Sequence, residues 1–61
     1  MIDPIEFEYR GVKVNVHVAW AGWEYEFDFA GNHYFASYRF SHWAEDGAKE
    51  KIRQLKLANK A

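Results

Sequence analysis

The chain has 61 residues, a formal net charge of −1 and no cysteine. A domain of that length buries only about 60% of its unfolded surface, so its core needs a supplement, and without cysteine neither disulfides nor thiolate metal sites supply it. The near-neutral balance also excludes the strongly basic character of a simple nucleic-acid binder.

Aromatic residues make up 20% of the chain, with three Trp, four Tyr and five Phe, and dense ring packing is the supplement they offer. Met1-Ile2-Asp3-Pro4 reads as neither a leader nor an anchor, and the longest apolar run, Val18 to Gly22, is far too short to span a bilayer. The expectation is a soluble cytoplasmic protein.

Strict alternation of apolar and polar residues predicts four strands, over about 5–9, 12–20, 23–30 and 33–40. The apolar positions are Ile5, Phe7 and Tyr9, then Val12 through Trp20 at every second residue, then Trp23, Tyr25, Phe27 and Phe29, and last Tyr34, Ala36, Tyr38 and Phe40. Arg10-Gly11, Ala21-Gly22 and Gly31-Asn32 punctuate the runs and are the expected two-residue turns. That register sets Phe7 against Val14, Val16 against Phe27, Phe29 against Tyr34 and Trp23 against Phe40. Four-residue loops would keep the same parity, so the apolar residues share one face under either loop length.

Beyond Phe40 the period changes to that of a helix over about 42–58, with Ala44, Ala48, Ile52 and Leu55 on one stripe and Gly47 and Ala58 beside it. Ser41 suits the N-cap, Glu45 and Asp46 the first turns, and Lys56 and Lys60 the last. The small residues Ala44, Gly47 and Ala48 let the helix approach a ring-crowded sheet, offsetting a helix-propensity cost at Gly47 of roughly 1 kcal/mol. The fold class is therefore α+β: one domain spanning 1–61, a four-stranded antiparallel meander with one C-terminal helix on its aromatic face.

Two surfaces follow. A sheet four strands wide spans roughly 19 Å, whereas one helix is about 10 Å across, so an aromatic strip is expected beside the helix. Such a strip, together with two unpaired strand edges, makes a homodimer the expected assembly. On the polar face the register sets Glu8 across from Lys13, His17 from Glu26 and Glu24 from Arg39, with Phe35 beside Asp28. Glu6, Glu8, Glu24, Glu26 and Asp28 then form an acidic partner-binding face with Phe35 as its aromatic anchor. An ordinary solvated sheet surface has the same composition apart from Phe35.

Catalysis needs a nucleophile or acid/base pair in a cleft, and His17 with Glu26 is the one close His–carboxylate pair of the expected register, on an open sheet. His17 and His33 lie too far apart to share an ion, and His42 belongs near Trp43 in the first helical turn. No catalytic, cofactor or metal site is expected. The strand order followed by one helix resembles the dimeric single-stranded-DNA-binding coactivator domains and many short proteins of phages and mobile elements.

The functional expectation is a small non-enzymatic protein-interaction module, an inhibitor or regulator of phage or mobile-element type. It would act through the acidic face or leftover aromatic surface on a protein partner, including a basic groove that normally receives nucleic acid. The alternative is nucleic-acid binding through the basic helix end, Lys49, Lys51, Arg53, Lys56 and Lys60, with exposed rings as stacking platforms.

Overall fold

The computed structural model describes residues 4–59. Four strands, β1 (Ile5–Tyr9), β2 (Val12–Ala19), β3 (Gly22–Phe29) and β4 (Asn32–Tyr38), form one antiparallel sheet in the order β1-β2-β3-β4, and a single helix, α1 (Ser41–Ala58), packs across it. The expected fold class is the observed one.

The first hairpin has the expected register, with Phe7 opposite Val14 and Glu8 opposite Lys13. The other two are displaced by two residues. Val16 faces Tyr25 rather than Phe27, and Phe27 faces Tyr34 while Trp23 faces Tyr38. The loops are thus Trp20-Ala21 and Ala30-Gly31, one residue earlier than expected in each case.

The reason is where glycine is needed. In the first and third turns it takes the second position, at φ 82° for Gly11 and 81° for Gly31, while Arg10 and Ala30 accept left-handed φ values of 52° and 53°. For a residue with a Cβ that conformation costs roughly 1–2 kcal/mol. Gly22 serves β3 instead: its φ is 146°, and a Cβ there would strike the Tyr38 carbonyl of the neighbouring strand. A displacement of two residues preserves parity, so the division of faces survives although the individual partners change.

Core and helix meet as the stripe predicts. Val12, Val14 and Val16 of β2, Tyr25 and Phe27 of β3, and Ala44, Ala48 and Ile52 of α1 are buried. Complete burial of an aliphatic side chain such as Ile52, Val14 or Val16 is worth about 1.5–3 kcal/mol. Tyr25 stacks on Phe27 and Tyr38, and Phe27 on Tyr34, with ring centroids 5.4–5.9 Å apart. Gly47 gives the Tyr38 ring room to lie against the helix backbone.

The helix terminus departs from expectation. Phe40, in extended conformation, is the N-cap, and no side chain caps the helix there; Ser41 is already helical, and Glu45 and Asp46 fall beyond the first turn. Phe40 leaves the strand to stack on His42 and meet Trp43 edge-on at 4.8 Å, which holds the entry to the helix by ring packing in place of a side-chain hydrogen bond. Lys56 occupies the last turn as expected, whereas Lys60 lies outside the described residues. No described helix is long and apolar enough to cross a membrane.

Candidate functional site

Side chains projecting from the sheet away from α1 line an open groove of about 500 Å³, bounded by Glu6 and Glu8 of β1, Lys13 and Asn15 of β2, Glu26 and Asp28 of β3 and His33 of β4. The strands place them there by simple alternation, since each is one residue out of step with the buried set. The polar face is therefore a shallow trough and not the flat surface that parity alone suggests. Four of the five expected acids line it.

Glu24, the fifth acid, sits at the end of β3 nearer the Trp20-Ala21 turn, opposite His17 on β2, and its partner on β4 is Ser37 in place of the expected Arg39. The corrected register gives the polar face two His–carboxylate pairings. His17 Nε2 lies 3.1 Å from Glu24 Oε1 and its Nδ1 3.7 Å from Glu26 Oε2, while His33 Nδ1 lies 2.8 Å from Asp28 Oδ1. The other contacts of His17 reach towards β1: Asn15 Oδ1 is 2.9 Å from Nδ1, and Asn15 Nδ2 donates to Glu6 Oε2 at 3.3 Å.

Phe35 stands directly opposite Glu26, not beside Asp28, and is 64% exposed. Its ring leans towards His33 at 5.9 Å. The structure thus joins Phe35 to the acidic face, with Glu26 as the carboxylate shared between ring, groove and His17.

One grouping is new relative to the sequence reading. His17, Glu24 and Glu26 each offer a ligand atom within 4.8 Å of the others, all on half-buried side chains. The sequence signal is a His followed at positions +7 and +9 by two acids across a tight turn. A register set two residues off put Glu26 directly opposite His17 and moved Glu24 away from it.

The basic helix residues do not form one stripe. The Lys49 ammonium lies over the rings of Phe7 and Tyr9 on one side of α1, and those of Lys51 and Lys56 lie over Tyr34 and Phe29 on the other. Arg53, on the outer face, pairs with Glu50 at 2.6 Å, a hydrogen bond that raises its pKa further.

Surplus apolar surface is real but lies elsewhere than expected. The edge rings Phe7, Tyr9, Phe29 and Tyr34 beside the helix are half-buried, each with a lysine ammonium over it. Besides Phe35, the exposed large apolar residues are Val18, Trp20, Phe40 and Trp43, at the end of the sheet where α1 begins, and Leu57 alone in the last turn of α1. Trp20, expected in the second strand, occupies the turn and is fully exposed.

Comparison with protein-family models, curated proteins and solved structures finds no match to this chain.

Proposed function

We propose that this chain is a small non-enzymatic protein-interaction module that docks a basic protein surface onto its acidic sheet face. The observation that supports the reading is the convergence of Glu6, Glu8, Glu26 and Asp28 on one groove, with exposed Phe35 opposite Glu26. Carboxylates on a rigid sheet steer and orient a cationic partner, and a large ring within a polar rim supplies the desolvated anchor.

The experiment is fluorescence anisotropy with a labelled Lys/Arg-rich peptide as probe. Binding should weaken with salt, and the variant Phe35→Ala/Glu26→Gln/Asp28→Asn should bind at least about 30-fold more weakly while keeping its circular dichroism spectrum. Equal binding by that variant refutes the acidic-face reading.

A second reading rests on the apolar end. Trp20, Phe40 and Trp43 are 102%, 45% and 49% exposed, which at about 200 Å² per ring leaves roughly 400 Å² uncovered, more with Val18. Two copies meeting there would bury about 800–1,000 Å², at the lower margin of a specific interface, so the dimer it supports is weak and concentration-dependent. Nucleic-acid binding through the helix has less support, because its lysines lie over rings on opposite flanks.

A further inference from the structure

The two edges of the sheet differ in chemistry. The turn from β3 to β4 has both central residues at positive φ, 53° for Ala30 and 81° for Gly31, and is a two-residue hairpin turn closed by Phe29 and Asn32. Hydrogen-bonded pairs alternate from there along an antiparallel ladder, so Asn32, Tyr34, Ala36 and Tyr38 turn their backbone N–H and C=O groups to β3. His33, Phe35 and Ser37 turn theirs away from the sheet. The same reasoning from the Arg10-Gly11 turn leaves the outward groups of β1 at Glu6 and Glu8.

Sheet edges are commonly blunted by charge, proline or a bulge. β1 carries Glu6 and Glu8, and two copies of it laid antiparallel would set glutamate against glutamate. β4 reads Asn-His-Tyr-Phe-Ala-Ser-Tyr, without Lys, Arg, Asp, Glu or Pro, and its register with β3 runs from Asn32 to Tyr38 without a bulge.

We propose that β4 pairs antiparallel with β4 of a second copy about a two-fold axis at Phe35, joining two four-stranded sheets into one. In that register Phe35 faces Phe35 of the second copy and His33 faces its Ser37, so every outward N–H and C=O group of His33, Phe35 and Ser37 is bonded. An axis at Tyr34 or Ala36 would carry Ser37 or His33, respectively, past the end of the opposing strand. On the helix side Tyr34 meets Ala36 of the second copy, a large residue against a small one. The helices do not obstruct the joint. α1 is buried against β2 and β3, so two β4 strands between the copies hold the helix axes at least about 14 Å apart at about 4.8 Å per strand, against a helix width of about 10 Å.

The pairing accounts for Phe35, a 64% exposed ring on the polar side of an edge strand, by giving it a cross-strand aromatic neighbour. Both acidic faces lie on one side of the joined sheet, and each copy adds its Phe35 to the other's face. Because the strands run antiparallel, the ends bearing Trp20 and Trp43 point in opposite directions, and this contact is separate from one made there. Main-chain pairing with little apolar burial makes the dimer concentration-dependent.

The test uses the full chain without any peptide, so it is independent of the docking proposal. Hydrogen exchange followed by NMR should show the amides of His33, Phe35 and Ser37 exchanging at least about tenfold more slowly at millimolar than at micromolar chain concentration, with those of Glu6 and Glu8 unchanged. Phe35→Lys and Phe35→Glu each set like charges across the axis and should sediment as monomers, with circular dichroism verifying the fold. Mixed in equal amounts, the two variants should recover the dimer mass. Exchange at the three β4 amides that is insensitive to concentration overturns the pairing. A dimer of Phe35→Lys alone, or no recovery on mixing, overturns the axis at Phe35. Trp20→Ser should leave the protection in place, and its loss in that variant overturns the β4 contact in favour of the apolar end.

Discussion

Gly47 sits in the middle of an eighteen-residue helix, where replacement by alanine should stabilise the chain by about 0.8–1.0 kcal/mol on propensity alone. The structure reverses that expectation. A Cβ at Gly47 would run into the Tyr38 hydroxyl and approach Cε1 of the same ring to 2.9 Å, and the ring is held by stacking on Tyr25 at 5.9 Å. Overpacking costs typically 1–3 kcal/mol, so Gly47→Ala should be neutral to destabilising by about 2 kcal/mol once the propensity gain is subtracted. In a Tyr38→Ala background the obstruction is gone, and the same substitution should stabilise by close to 1 kcal/mol. Urea unfolding of wild type, both single variants and the double variant gives the coupling, expected at about 1–3 kcal/mol. If Gly47→Ala stabilises both backgrounds equally, the close approach of ring and helix is not what holds glycine at this position.

Burial, and secondarily the neighbouring Tyr38, raises the pKa of the Tyr25 phenol above its usual 10.0. The unfolded chain therefore ionises first: stability is unaffected by this group below about pH 10 and falls as pH rises from there towards the higher folded value. Tyr25→Phe should make the loss of urea midpoint between pH 9 and 11 shallower, and an unchanged slope would show that another group sets it. Self-association through the apolar end should appear in light scattering as a mass that rises with concentration. Trp20→Ser, at a fully exposed turn position, should lower that mass without changing the unfolding midpoint, and a mass equal to wild type refutes the interface.

The fold was legible because its signals are redundant. Alternation through four runs assigns faces whatever the loops do, and the Ala44, Ala48 and Ile52 stripe names the helix face without reference to the sheet. Register was legible only modulo two. Whether Gly22 belongs to a turn or to a strand depends on the approach of the Tyr38 carbonyl from β4, a tertiary contact that no window around Gly22 contains. The candidate site inherits that ambiguity directly. A two-residue displacement leaves every acid on the polar face, so the acidic face was anticipated, although its shape as a groove was not. The displacement also replaces Glu26 by Glu24 opposite His17, and so the grouping of His17 with both glutamates was not.

The same reasoning explains why the width comparison between helix and sheet misplaced the surplus rings. A helix about 10 Å across cannot cover edge strands with its backbone, but long side chains extend its reach. Lys49 reaches to the Phe7 and Tyr9 rings of β1, while Lys51 and Lys56 cover Tyr34 on β4 and Phe29 at the end of β3, their ammonium groups 5.5–6.0 Å from the ring centroids. Each stem buries apolar area while its charge stays at the surface, and each cation gains a further fraction of a kcal/mol from the ring beneath it. Residues that in sequence look like a basic binding stripe are therefore engaged in widening the helix. Where α1 begins, the helix offers Ser41, His42 and Trp43 and no lysine, and that is the end at which Val18, Trp20 and Phe40 stay uncovered. The distribution of lysine along one helix thus matches which part of the aromatic surface is covered and which stays exposed.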